Sequence, residues 1–244
     1  MVCRMNASVA QNAPARRALP QVWREFAAFA ARPAYIEPKG LRAPGSWRVL
    51  ATMLVLHVVV MAVLMPLLAL WQKAWGLSGP DAFEGVSKAW LPLLVVLVAP
   101  VLEEITFRGW LTGRPRALWL VAVLVASSAG IMAVQPDPYP TVAWFFSGLL
   151  APPIGWLVLR KRATPQAWRG RWFAAPFYAG AALFGVLHVM NYPHPGLLVL
   201  PMVLPQLWAA FTLGYLRMRV GLPASILAHA TSNALALGLA LVGV

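Results

Sequence analysis

Pro100-Val101-Leu102-Glu103-Glu104-Ile105-Thr106-Phe107-Arg108-Gly109 follows on from an apolar run, Ala89 to Leu102, that carries no charge of its own. The stretch puts two adjacent carboxylates and an arginine at the end of that run. The whole chain holds seven acidic residues, and two of them stand here. An ionised group at bilayer depth costs roughly 2.5–3.5 kcal/mol even on lenient insertion scales, so such residues mark function by default. The surrounding chain decides whether this is a membrane segment and whether it has partners.

Apolar residues make up 60% of the 244 and charged residues 11%, well below the usual quarter for a soluble domain. Runs long enough for a hydrocarbon core, which takes about 20 helical residues, occur at 49–71, 89–112, 117–134, 141–159, 173–192, 196–216 and 222–244. The second counts only if the helix continues through Glu103 and Glu104. Ile105, Phe107, Trp110 and Leu111 keep its pattern apolar, and we take it to continue.

The charges between the runs test this reading. Eight basic residues precede the first run: Arg4, Arg16, Arg17, Arg24, Arg32, Lys39, Arg42 and Arg48. Lys73 and Lys88 in the next loop are balanced by Asp81 and Glu84. Arg114 and Arg116 follow, then Asp137 alone, then Arg160, Lys161, Arg162, Arg169 and Arg171, then His194, then Arg217 and Arg219. Basic loops alternate with loops that lack them, seventeen lysines and arginines against two. The positive-inside rule converts this into seven spans of an all-α polytopic protein of the cell membrane, N-terminus cytoplasmic and C-terminus outside. The net charge of +13 would suit nucleic acid in a soluble protein. Here it is distributed as topology determinants are, so the expected partner is the bilayer and no nucleic acid.

Residues 1–46 form a basic arm and 47–244 the membrane domain. The first 20 residues have no apolar core, so no cleavable signal peptide is expected. Cys3 is the one cysteine, which excludes an intrachain disulfide or a thiolate metal cluster. In the arm, Leu19, Val22, Trp23, Phe26 and Ala30 recur at helical spacing, the pattern of a short helix on the membrane surface. Prolines are frequent inside the runs, at Pro66, Pro92, Pro100, Pro152, Pro153, Pro176, Pro201 and Pro205. Breaks of that kind persist in lipid only where protein or water re-satisfies the freed carbonyls. Pro100 matters most, because in an α-helix it removes a hydrogen bond to the carbonyl of Val96 just before Glu103.

At about 100° per residue, Glu104 and Arg108 lie about 40° apart on one helix face, while Glu103 points about 140° from Arg108. The natural pair is Glu104 with Arg108, which leaves Glu103 aimed at another helix. The bland alternative is a structural ion pair plus one protonated carboxyl. His188 closes the fifth run, with Phe184 one turn back as an apolar wall. His229 and Asn233 share a face of the last run, where two stacked polar groups can donate to a developing oxyanion or simply join helices. His57 has no polar neighbour at helical spacing and reads as structural. His194 sits in a Pro-rich turn, and Gln206 and Ser232 read as helix contacts. Ser127, Ser128 and Ser225 lack the Gly-x-Ser-x-Gly or Ser/Lys arrangement of a serine nucleophile.

Glu103-Glu104-x-x-x-Arg108-Gly109, Phe184-x-x-x-His188 and His229-x-x-x-Asn233, in that order and each on its own membrane helix, together resemble the CPBP family of intramembrane proteases. That family comprises CAAX proteases and bacteriocin-processing enzymes and is also called the Abi family. The resemblance covers 95–235. It implies about eight helices, so a short or re-entrant helix in 72–88 would complete the set. It further implies Glu103 as the base that activates water, His188 as a holder of that water, Glu104 and Arg108 as an orienting pair, and His229 and Asn233 as oxyanion stabilisers. Glu103, His188 and His229 could hold Zn²⁺ with an open position; a metal-free carboxylate base is equally compatible, and the His-Glu-x-x-His signature is absent. The implied substrate is a membrane-associated peptide or protein, lipidated in the CAAX case. A transporter or ion pathway built on the same polar cluster, or a non-catalytic immunity or scaffold protein of the same fold, remain the alternatives. One expectation strains the assignment. Counting about 1.5 Å per residue from the basic ends puts Glu103 near 13 Å and His229 near 10 Å, but His188 near 22 Å.

Overall fold

The computed structural model describes residues 19–241 except Phe83 and Pro136; Cys3, Arg4, Arg16 and Arg17 lie outside the described residues. Those residues are helical and contain no strand. In chain order they form α1 (Leu19–Ala31), α2 (Ser46–Ala74), a π-helix (Pro92–Val98) running into α3 (Ala99–Arg108) and a 3-10 turn (Gly109–Thr112), α4 (Pro115–Val134) and α5 (Pro138–Leu159). After these come α6 (Gln166–Arg169), α7 (Ala174–Leu187) with a 3-10 turn (His188–Asn191), a 3-10 stretch (Leu197–Val203) leading into α8 (Leu204–Arg219), and α9 (Leu222–Leu241).

Six helical segments are long and apolar enough to cross a membrane: 46–74, 115–134, 138–159, 174–191, 197–219 and 222–241. The remaining run is helical without a break from Pro92 to Thr112, and its buried charges set it apart from the other six. Two of the prolines expected inside spans, Pro92 and Pro205, instead occupy first-turn positions, as Pro115 and Pro138 do at the starts of α4 and α5, where a missing N–H costs nothing and the fixed φ suits the helix. Pro100 opens α3 within an unbroken helix, so its missing N–H leaves a carbonyl to be satisfied. Pro66, Pro152 and Pro153 do lie inside helices.

The stretch 75–90 is turn and coil among its described residues, not the extra helix expected in 72–88. The arm supplies a helix instead. In α1, Val22, Phe26 and Phe29 are buried against protein. Phe26 meets Trp208 and Tyr215 edge-on, and Phe29 meets Phe177 and Tyr215, at centroid separations of 5.1–5.6 Å. Such edge-to-face pairs are favoured by the ring quadrupole. An ion pair from Arg219 to Glu25 (3.1 Å) ties α1 to the end of α8.

The main core gathers α1, α2, α7, α8 and α9 around Tyr215, Leu216 and Met218. α4 and α5 form a hairpin whose faces are joined by small residues. Trp119 lies directly on Gly155 and donates from Nε1 to the Ala151 carbonyl (3.0 Å). Ser127, set aside as a nucleophile on its sequence context, is a buried contact facing Gly148. The rest of the hairpin displays large apolar side chains such as Phe145, Leu149, Ile154 and Val158, as lipid-facing helices do. This is a multi-pass integral membrane protein.

A Cβ at Gly155 would overlap the Trp119 indole, whereas at Gly238 it meets open space. Gly155→Ala is therefore expected to cost about 1–3 kcal/mol through overpacking, read as a lower unfolding temperature in detergent. Gly238→Ala is expected to be neutral or slightly stabilising, since Ala is the better helix former.

Candidate functional site

The helix bearing the two glutamates changes register just before them. In the π-helix, the N–H of Ala99 donates to Leu94 O, five residues back. At that spacing the donor for Val95 O would be residue 100, and Pro100 has no N–H. The sequence reading assigned the orphaned carbonyl to Val96 by α-helical counting; the π register moves it to Val95. Asn233 Nδ2 in α9 donates to Val95 O at 2.9 Å. A side chain from α9, which packs directly against the π-helix, thus re-satisfies the backbone that proline opens, as lipid demands.

Beyond that turn the two carboxylates part. Glu104 is fully buried, and its Oε1 accepts from Arg108 Nη1 at 2.8 Å and lies 2.9 Å from His229 Nδ1. The Arg108 guanidinium also stacks over Phe184, 3.9 Å from the ring centroid, a second source of stabilisation for a buried cation. Glu103 turns to the open side, with 28% of its side chain exposed. Its Oε2 stands 3.7 Å from His229 Nε2 and 4.0 Å from His188 Nε2. Those separations exceed a direct hydrogen bond and are short enough for one water to bridge.

The hydrogen bonds set the tautomers. His188 Nδ1 is 2.6 Å from Phe184 O; a carbonyl only accepts, so Nδ1 carries the proton. His229 Nδ1 likewise donates to the Glu104 carboxylate. Both imidazoles therefore turn Nε2 towards Glu103, and a group between them must present hydrogen or positive charge.

The depth conflict has a local answer. Side chains lean towards the N-terminus of their own helix. α3 runs towards the basic loop at 113–116 and α7 runs away from the basic segment 160–171. Glu103 therefore leans deeper while His188 leans back, and the short contact to Phe184 O records that lean. The two side chains close a gap that Cα counting leaves open.

The Zn²⁺ reading can be tested on these distances. Ligands at about 2.0–2.1 Å in a tetrahedron stand about 3.3 Å apart, closer than the 3.7 and 4.0 Å found between Glu103 and the two histidines. Among the described residues no three His, Cys, Asp or Glu side chains have the geometry of a metal site. As arranged, the set is wider than a tetrahedral Zn²⁺ shell.

Two contributors escaped the sequence reading. Arg217, counted as a loop charge, is buried and donates from Nε to Arg108 O (2.9 Å) and from Nη2 to Gly109 O (3.0 Å). It caps the carbonyl end of the helix that carries the glutamates. His57 is not alone: its Nε2 lies 2.7 Å from Ser232 Oγ, one turn from His229. No helical spacing links α2 to α9, so only the fold reveals this pair. Gln206 stays outside the cluster, and His194 is exposed in its turn.

Two buried opposite charges make the roles of the carboxylates separable by stability. Glu104→Gln leaves Arg108 buried without its counter-charge and is expected to cost about 3–5 kcal/mol, seen as a large drop in unfolding temperature. Glu103→Gln, which breaks no hydrogen bond among the described residues, is expected to leave that temperature nearly unchanged.

No curated protein matches the chain, and no solved structure matches it either. A family model does, that of the type II CAAX prenyl endopeptidase Rce1-like family, over residues 85–165 and 137–235. Together these segments cover well over half of the 244 residues, and they contain α3, α7 and all but the last turns of α9. The chain belongs to the Rce1-like family of CAAX-type intramembrane endopeptidases.

Proposed function

We propose that this protein hydrolyses a peptide bond of a membrane-associated protein or peptide with a water activated by Glu103, without a metal. The observation that carries this reading is the division of the carboxylates. Glu104 is held by Arg108 and His229, while Glu103 Oε2 faces two Nε2 atoms across gaps of 3.7 and 4.0 Å. A water there gives one hydrogen to Glu103 and the other to a histidine. His188, its ring fixed by Phe184 O, holds that water.

In the step, Glu103 takes a proton from the water as its oxygen bonds to the scissile carbonyl carbon. The carbonyl oxygen becomes an oxyanion. His229, held by Glu104 at Nδ1, stabilises it from Nε2 once that nitrogen carries a proton. Asn233 has two amide hydrogens; one is on Val95 O, and the second is the one free to reach the oxyanion. Glu103 then passes its proton to the leaving nitrogen as the C–N bond breaks. Preorganised donors of this kind are worth most where water is excluded. Family membership supports a lipidated CAAX-type substrate, whose prenyl chain would lie in the bilayer beside the site.

The test is cleavage of a prenylated CAAX peptide by the purified protein in liposomes. Glu103→Gln is expected to lower kcat by about 10²–10⁴-fold, the range for losing a positioned base, while exhaustive chelation leaves the rate unchanged. Cleavage retained by Glu103→Gln would overturn the base assignment. Activity lost on chelation and restored by Zn²⁺ would overturn the metal-free reading.

A further inference from the structure

Away from the site, the basic loops do something a topology signal does not require. Arg114, Arg116, Arg160, Arg162 and Arg169 converge, with Thr164, on one cavity of about 240 Å³. A positive-inside signal needs charge near the helix ends, not guanidinium groups gathered round a concavity. The gathering is built. Trp168 donates from Nε1 to Leu111 O (2.9 Å), and Thr164 donates from Oγ1 to Thr112 O (2.9 Å). Gly113, at φ 62°, accepts the Trp168 ring against its backbone where a Cβ would collide. These neutral contacts clamp the loop before α4 to the segment after α5 and hold five like charges together.

Compensation inside the protein is small. Glu37 pairs with Arg114 (3.2 Å) and Arg169 (3.7 Å). The Tyr35 hydroxyl donating to Glu37, and then Arg114, hold that carboxyl below its usual range, so its one negative charge is present at neutral pH. Arg116 rests on the Trp156 ring at 4.3 Å. Arg160 and Arg162 make no ion pair among the described residues. One carboxylate faces five guanidinium groups.

The geometry points to a binding site for the phosphate of an anionic phospholipid headgroup. Guanidinium forks match phosphate oxygens, and basic pockets at a membrane surface are where such headgroups dock. Lipid is favoured over a soluble anion by location. α4 starts at Pro115 and α5 ends at Leu159, so two spans terminate at the cavity, and both expose apolar side chains along their length for acyl chains to follow. Thr164 of the cavity wall and Trp168 beside it bind the carbonyls of Thr112 and Leu111, directly after the helix of Glu103. A bound headgroup would therefore brace the end of that helix that Arg217 also holds.

The experiment titrates the full-length protein, in detergent, with phosphatidylglycerol and with phosphatidylcholine. Retained lipid is counted by native mass spectrometry, and the unfolding temperature is followed in parallel. Phosphatidylglycerol is expected to bind and stabilise and phosphatidylcholine not to. Arg160→Gln/Arg162→Gln is expected to weaken phosphatidylglycerol about 30-fold, from about fivefold per basic residue lost. Arg42→Gln/Arg48→Gln, which removes the same charge outside the cavity, is expected to leave binding unchanged. Equal weakening by both double variants would mean a diffuse basic surface and overturn the site. Equal binding of the two lipids would overturn it too, as would stabilisation by inorganic phosphate alone that matches the lipid.

Discussion

The arrangement depends on one oxygen atom. Glu104 Oε1 accepts from Arg108 on its own helix and from His229 on α9, and it does so with no solvent contact. Burying two opposite charges gains little net stability, but removing either partner is expensive. The pair therefore acts as a constraint: α3 and α9 can pack only in the register that keeps both bonds. That register orients the His229 ring, and with it the nitrogen facing Glu103. The Phe184 ring closes the same cluster, over Arg108 on one side and against His188 on the other at a centroid distance of 4.6 Å.

The backbone around this pair is as constrained as the side chains. Pro100 cannot donate, the preceding turns are π-helical, and Asn233 supplies the missing donor. At the other end of α3, Arg217 takes the carbonyls of Arg108 and Gly109. Both ends of a ten-residue helix are thus held by side chains from α8 and α9. In the proposed mechanism the carboxylate base must keep its position through a proton transfer, and a helix pinned at both ends supplies that rigidity.

The basic loops carry a second layer of organisation on the same scaffold. Trp168 and Thr164 bind the carbonyls of Leu111 and Thr112, so the wall of the arginine-lined cavity is tied to the turn that ends the helix of the glutamates. Charge that the sequence places at the ends of the spans, in the pattern of a topology signal, also creates a surface for phosphate. The two uses are compatible because both need positive charge at the ends of the spans.

The residues alone were enough to read an all-helical membrane protein, the pairing of Glu104 with Arg108, and the three motifs that carry the family resemblance. These are consequences of local periodicity: 20-residue apolar runs, i and i+4 on one face, charges between spans. Contacts between elements were not legible, because nothing in a linear sequence ties α2 to α9 or α8 to α3. Hence His57 read as solitary and Arg217 as a loop charge, and α1 read as an interfacial helix although its aromatic face meets Tyr215 and Phe177. The orphaned carbonyl was placed at Val96 because α-helical counting is the default, and the π register that shifts it to Val95 is stabilised by a partner on α9. Sequence by itself determined which polar groups enter the membrane; tertiary structure decided which of them meet, since desolvated hydrogen-bonding groups are satisfied by whatever the packing brings within about 3 Å.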